Sequence, residues 1–140
     1  QRGYAQAIRE LGLPDGRVIS FGQPPISMAQ GGEAVAQLVR QWPDVDAVLC
    51  VSDLSAFGAL MECQRQGWDV PGRIAIAGFG DFEVARACHP RITTVAVDCV
   101  GIGKAAGELL LRVIDGAQDG HRPPSETVMI PFHIEQRESS

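Results

Sequence analysis

The sequence has 140 residues, of which 45% are hydrophobic, and it carries a formal net charge of −5. This length suffices for one domain with its own core, and the composition is that of a globular chain rather than a disordered one. The longest apolar runs fall far short of the roughly 20 residues that cross a bilayer. The acidic balance, with scattered arginines and no basic cluster, argues against nucleic-acid binding by this segment.

The first half of the chain predicts helix, strand, helix and strand. Residues 3–11 fit a helix and residues 17–21 a short strand. Ser27 and Gln30 form a capping box at the start of the next helix, which ends before a strand at 46–51. The apolar residues of this helix recur at three- and four-residue steps: Met28, Val35, Leu38, Val39 and Trp42.

Two hydrophobic runs, at 46–51 and 73–79, each end in a polar turn, and a helix at 53–66 lies between them. Continuous apolar runs are typical of strands covered on both faces in a parallel sheet. Ligands of such sheets bind outside the carboxyl ends of the strands. The polar residues at these two strand ends are therefore candidate ligand contacts: Ser52, Asp53, Gly80 and Asp81.

The second half of the chain predicts fewer elements. Residues 80–90 are polar and irregular, with no clear helix start at Glu83. A strand at 92–97, an amphipathic helix at 101–115 and a strand at 127–135 follow. This order of strands and helices predicts an α/β fold with a doubly wound parallel sheet.

The helix at 53–66 is apolar on two sides. The two faces are Ala56, Leu60 and Cys63 on one side and Leu54, Phe57 and Met61 on the other. One face can pack on the sheet, so the second either packs against another partner or belongs to an ordinary core.

Simpler explanations exist for the candidate site. Ser52 and Asp53 are favoured N-cap residues, so capping alone accounts for them; alternatively, one side chain caps and the other faces a ligand. The glycine-rich turn before Asp81 also fits a tight turn without a ligand. It does not match the dinucleotide-binding pattern G-x-G-x-x-G, because position 83 is glutamate.

The sequence offers no catalytic constellation. The histidines at 89, 121 and 133 lie in no recognisable nucleophile context. The cysteines are not paired in C-x-x-C spacing, so we expect buried free thiols in a reducing cytoplasm and no metal site or cofactor: Cys50, Cys63, Cys88 and Cys99. The opening residues show no signal-peptide pattern. We expect a binding protein rather than an enzyme.

Four segments together resemble the effector-binding core of the LacI/GalR family of bacterial transcriptional repressors. They are AVLCVSDLSAFGAL (47–60), VPGRIAIAGFGDFEVA (70–85), HPRITTV (89–95) and GIGKAAGELLLRVIDG (101–116). The resemblance covers nearly the whole chain, in order and at family spacing.

This resemblance implies one subdomain of a periplasmic-binding-protein-like clamp that closes on an effector. Residues 1–97 and 126–140 would form the C-terminal subdomain, and 98–125 would cross towards an N-terminal subdomain that is missing here. The family contacts operator DNA through an N-terminal helix-turn-helix, which we also expect to be absent from this chain. No membrane partner is implied.

The resemblance also implies roles for single residues. Ser52 matches a position that is often asparagine and hydrogen-bonds the sugar, and Ile26 matches an apolar position that stacks on the ligand. Gly80 matches a position that is often a ligand-binding aspartate, so the carboxylate either moves to Asp81 or is lost. Loss of a carboxylate relieves repulsion of an anion. The F-G-D-F segment resembles the gluconate-utilisation branch, which favours a sugar acid such as gluconate.

In the family, the second face of helix 53–66 belongs to a homodimer interface. The candidates in this chain are Leu54, Phe57, Met61 and Cys88. The alternative function is a periplasmic sugar-binding protein of a transporter, which predicts a secretion signal upstream and a monomer. Unpaired cysteines and the two-faced helix count against that alternative.

Overall fold

The computed structural model describes residues 2–13, 16–23, 25–118 and 124–140. Five helices and four strands lie within these ranges. In chain order they are α1 (Arg2–Glu10), α2 (Met28–Gln41), β1 (Ala47–Leu49), α3 (Asp53–Gln66), β2 (Ala75–Phe79), α4 (Glu83–Ala87), β3 (Thr93–Val97), α5 (Cys99–Gln118) and β4 (Phe132–Glu135).

The four strands form one sheet in the order β1-β2-β3-β4. The pairs β1–β2 and β2–β3 are parallel, and β4 runs antiparallel to β3. Since α3 connects β1 to β2, the predicted βαβ crossover is present. The structure confirms the α/β class, with a mostly parallel sheet that ends in one antiparallel strand.

The core lies between the sheet and α3. The completely buried apolar side chains come from the strand segments, from one face of α3 and from α4: Ile74, Ile76, Ile92, Ala56, Leu60, Cys63 and Ala85. The first apolar face of α3 is therefore core, as the sequence predicts. The second face is only half-buried, with Met61 37% exposed.

Helices α2 and α3 approach each other closely because glycines line their contact. A Cβ atom on Gly58 would overlap the carbonyl oxygen of Met28, and one on Gly31 would overlap that of Ser55. The predicted capping box at the start of α2 is present, because Ser27 Oγ accepts from Gln30 N while Gln30 Oε1 accepts from Ser27 N. The close contact sets the first turn of α2 beside the first turn of α3.

Two predicted elements are wrong, and the last strand, predicted over 127–135, begins only at Phe132. Residues 17–21 are not a strand, since they pair with no described strand, and Arg17 instead donates two hydrogen bonds to the carboxylate of Asp44, at 2.6 and 2.9 Å. A short helix, α4, does begin at Glu83. Its N-cap is Phe82, whose side chain makes no capping hydrogen bond, so the usual sequence signal for a helix start is missing.

Helix α5 is longer than predicted and largely solvent-exposed. Its exposed apolar side chains include Val100, Ile102, Leu110, Leu111, Val113 and Ile114, all more than 40% exposed. No helix among the described residues is long and apolar enough to cross a membrane. An apolar helix of this length left uncovered indicates a face that packs against something outside the described fold.

The cysteines are free, but the prediction that they are buried holds only in part. Cys63 is buried, Cys50 and Cys88 are half-buried, and Cys99 is exposed at the start of α5. Burial raises the pKa of Cys50 to about 12 and that of Cys63 to about 11. Both groups are therefore protonated thiols at neutral pH.

We expect Gly58→Ala to destabilise the protein by about 1–3 kcal/mol, because the added methyl group forces α2 and α3 apart. Urea unfolding measures the change. Gly3→Ala in α1 is the matched control, since a Cβ atom there has no neighbour within 4 Å. The control should be neutral or slightly stabilising, by up to about 1 kcal/mol. Equal effects of the two substitutions would contradict the close-packing argument.

Candidate functional site

The structure brings the two predicted strand ends together at one edge of the sheet. Asp53, which follows β1, accepts a hydrogen bond from the backbone N of Phe82, which follows β2, at 2.6 Å. The residues Gly80, Asp81 and Phe82 form the connection at this edge, and we call them the exit turn. The sequence-based expectation that the two polar strand ends meet is therefore confirmed.

Asp53 is the buried centre of this edge. It is 0% exposed, and its other carboxylate oxygen accepts from the hydroxyl of Thr94 on β3 at 2.6 Å. A buried carboxylate is stable only when hydrogen bonds replace its hydration. Asp53 therefore connects the ends of β1 and β2 to the N-terminal part of β3, and a direct effector contact, as predicted, would require it to leave these partners.

Gly78 makes room for this carboxylate. A Cβ atom at Gly78 would overlap Asp53 Oδ1. The glycine is required by the close approach of a side chain, not by its own backbone angles. The sequence alone suggests only a tight turn here.

Ser52 caps α3. Its hydroxyl oxygen accepts from Ser55 N at 3.2 Å, and Ser55 Oγ accepts from Ser52 N at the same distance. Ser52 is half-buried. Capping therefore accounts for Ser52, and its predicted contact with an effector stays a prediction.

The exit turn has an unusual backbone. Gly80 has φ +124° and Asp81 has φ +55°, a left-handed conformation that aspartate tolerates better than most residues. Gly80 N donates to Val95 O at 2.9 Å. Only glycine adopts the Gly80 conformation readily, so the absence of a carboxylate at this position is built into the turn.

The carboxylate of Asp81 is held by arginines. Arg137 Nη2 donates to Asp81 Oδ1 at 2.6 Å, and Arg86 Nε lies 3.7 Å from the same oxygen. The side chain of Arg137 is only 10% exposed, whereas that of Arg86 is 60% exposed. The negative charge of Asp81 is therefore compensated within the protein.

Arg137 belongs to a C-terminal segment, residues 137–140, that closes against β2 and β3. Ser139 Oγ donates to Ile76 O at 2.5 Å and accepts from Thr93 N at 2.9 Å. Glu138 pairs with Arg91, and this hydrogen-bonded pair lowers the pKa of Glu138 to about 2. The end of the chain is thus fixed beside the strands that carry the exit turn.

Two exposed aromatic side chains lie at the exit turn: Phe79 directly precedes it, and Phe82 is its last residue. Phe79 is 46% exposed and Phe82 is 44% exposed. A Cβ atom at Gly80 would lie 3.0 Å from Phe82 Cε1, so this ring covers the glycine. Ile26, the predicted stacking residue, is half-buried directly before the cap of α2. Sequence reasoning missed both phenylalanines, because exposed aromatic residues carry no periodic signal.

The candidate dimer residues lie at the second face of α3 and after α4. Leu54 and Phe57 are half-buried, and Met61 is 37% exposed. Cys88 is half-buried, and its thiol lies 3.3 Å from Pro90 O. Phe57 and Cys88 pack partly against the core, and the role of this face as an interface stays a prediction.

Within the described residues, no group of three or more histidine, cysteine or carboxylate side chains could hold a metal ion. The histidine at 121 lies outside the described part of the chain. The carboxylates at this edge of the sheet, which we call the exit edge, are engaged in hydrogen bonds and ion pairs within the protein.

All 140 residues match the family described as "Periplasmic binding protein-like domain". The chain belongs to this family. The match covers the sheet, the exit turn and α5, so the periplasmic-binding-protein-like fold expected from the sequence is confirmed.

Homologues within the family are LacI-type transcriptional regulators. The chain is 36% identical over 116 residues to the HTH-type transcriptional regulator GntR of Escherichia coli (strain K12), covering 83% of this chain and 34% of that protein. It is 38% identical over 116 residues to the HTH-type transcriptional regulator GalR of the same strain, covering 81% of this chain and 33% of that protein. The chain thus spans about a third of the length of these relatives.

A solved structure of a regulator–sugar complex has the same fold. The structure titled "transcriptional regulator CelR-cellobiose complex" superimposes with a TM-score of 0.85 at 30% identity, covering 99% of this chain and 41% of that chain. The suggested resemblance to LacI-type regulators is therefore confirmed.

We expect Asp53→Ala to destabilise the protein by about 2–3 kcal/mol, because it leaves Phe82 N and the Thr94 hydroxyl without their charged acceptor. Thermal or urea unfolding measures the loss. Asp44→Ala is the control, since it removes an exposed carboxylate that pairs with Arg17, and its effect should be much smaller. A loss for Asp53→Ala no larger than for the control would contradict the central role of Asp53.

Proposed function

We propose that this chain is the effector-sensing part of a LacI-type transcriptional regulator, with the exit edge as one wall of the effector site. Support comes from the family match, from the regulator homologues and from ligand recognition at the carboxyl ends of parallel strands. Operator DNA would be bound by a helix-turn-helix outside this chain. An effector that prefers one closure state would shift the equilibrium between DNA-binding and released forms.

The proposed effector is a sugar acid such as gluconate. The observation that carries this choice is the state of the carboxylates at the exit edge. Gly80 has no side chain, Asp53 is buried and hydrogen-bonded, and Asp81 is paired with Arg137. Position 80 carries no negatively charged side chain that would repel an anion, and the exposed Arg86 lies beside the exit turn.

The proposed setting is a cytoplasmic, non-enzymatic regulator. The homologues GntR and GalR are named as transcriptional regulators, not as enzymes or transporter components. This favours a regulator over the alternative, a periplasmic sugar-binding protein of a transporter.

The domain division is also proposed. Residues 1–97 and 126–140 would form the C-terminal subdomain, and 98–125 would cross to a second subdomain outside this chain. The exposed apolar face of α5 supports this division, because its side chains need cover: Ile102, Leu110 and Ile114.

The proposed assembly is a homodimer through Leu54, Phe57, Met61 and Cys88. The second apolar face of α3 supports it, since this face is only half-buried, with Met61 37% exposed, while the first face fills the core. A helix with two apolar faces needs two packing partners.

We expect the full-length protein to bind gluconate at least about tenfold more tightly than glucose, a difference of about 1.4 kcal/mol. Isothermal titration calorimetry measures both affinities. The physical reason is the compensated charge at the exit turn, so added salt should weaken gluconate binding more than glucose binding. Tighter binding of glucose than of gluconate would overturn the choice of a sugar acid.

We expect Phe57→Asp to convert the full-length dimer into monomers, because it places an unpaired charge in an apolar contact. Sedimentation velocity over a range of concentrations measures the change. Gln37→Asp, at an exposed position of α2, is the control and should leave the dimer intact. A fully dimeric Phe57→Asp variant would exclude this face as the interface.

A further inference from the structure

We propose that Arg137 is a positioning residue of the effector site, which holds the exit turn in place through Asp81. This inference rests on the proposed function, because it assigns the exit turn to the effector wall. Arg137 lies 56 residues after Asp81 in the chain, so nothing in the local sequence of the turn points to it.

One guanidinium group connects the turn to β3. Arg137 Nη2 donates to Asp81 Oδ1 at 2.6 Å, while Nη1 donates to the carbonyl oxygen of Ile92 at 2.9 Å. The two donors belong to a rigid planar group, so fixing one contact fixes the direction of the other. The position of Asp81 is thereby set relative to the start of β3.

Arg137 is itself held firmly. Its backbone N donates to Thr93 Oγ1 at 2.9 Å, and its side chain is only 10% exposed. The following residues are anchored by Glu138 to Arg91 and by Ser139 to Ile76 and Thr93. The support for the turn is therefore part of the folded core edge rather than a mobile tail.

The exit turn needs such support. Asp81 has φ +55°, which few non-glycine residues adopt, and its backbone N is 3.4 Å from the Thr94 hydroxyl, a weak contact. Without Arg137 the Asp81 carboxylate keeps only the exposed Arg86, 3.7 Å away. The backbone of the turn keeps its hydrogen bonds from Phe82 N to Asp53 and from Gly80 N to Val95 O, but the Asp81 side chain loses its fixed position. A carboxylate paired only with the exposed Arg86 then faces an anionic effector.

The test uses Arg137→Gln in the full-length protein, with Ser139→Ala as the matched control. Ser139→Ala removes hydrogen bonds of the same segment to Ile76 and Thr93 but leaves the contact to Asp81. Calorimetry with gluconate measures affinity, and hydrogen–deuterium exchange without ligand measures protection of residues 80–82. We expect Arg137→Gln to raise the Kd for gluconate about tenfold and to speed exchange in the turn about tenfold.

The control should lower the unfolding temperature without either local effect. Asp81→Asn combined with Arg137→Gln should be no worse than Arg137→Gln alone, because both remove the same contact. Unchanged exchange at residues 80–82 in Arg137→Gln, or the same exchange increase in Ser139→Ala, would overturn the inference. If the wild type binds no gluconate, the proposed effector is wrong, and the exchange comparison still decides the role of Arg137.

Discussion

The buried carboxylate of Asp53 is the interaction on which the rest of the exit edge depends. It accepts from Phe82 N and from the Thr94 hydroxyl, so one side chain joins the ends of β1 and β2 to the start of β3. Burying a carboxylate without such hydrogen-bond partners costs folding free energy, so the fold has to keep these two donors in place. Gly78 follows from it, because any side chain there would displace the carboxylate.

Both carboxylates at the exit edge are engaged in contacts within the protein. Asp53 is used inside the protein, and Asp81 is paired with Arg137, so neither is a free acceptor for sugar hydroxyls. Gly80 contributes only backbone to the edge, and Phe82 covers it with an aromatic ring. The exit edge therefore combines compensated charge with exposed apolar surface, which is compatible with the carbon chain of the proposed polyhydroxy acid.

Local signals in the sequence predicted most of the fold but less of the site. The helix caps at Ser27 and Ser52 depend only on residues nearby in the chain, and so do the continuous apolar strands. The sequence therefore predicted both. The two wrong predictions have separate reasons. The segment predicted as a strand at 17–21 has no pairing partner in the described sheet, and α4 starts without a side-chain cap. Phe82 lies 29 residues from Asp53 and Arg137 lies 56 residues from Asp81, and no local pattern encodes these two contacts.

The path of the chain after β3 links the site to the uncovered helix. β3 ends at Val97 and α5 begins at Cys99, so α5 leaves the sheet at the edge where the exit turn lies. Gly101 N donates to the Asp98 carboxylate at 2.8 Å, which fixes the start of α5 at this edge. An element that covers the apolar face of α5 would therefore lie next to the exit turn. In the proposed regulator, closure on an effector and packing on α5 would then involve the same neighbouring subdomain, which gives effector binding a direct mechanical route into the rest of the protein.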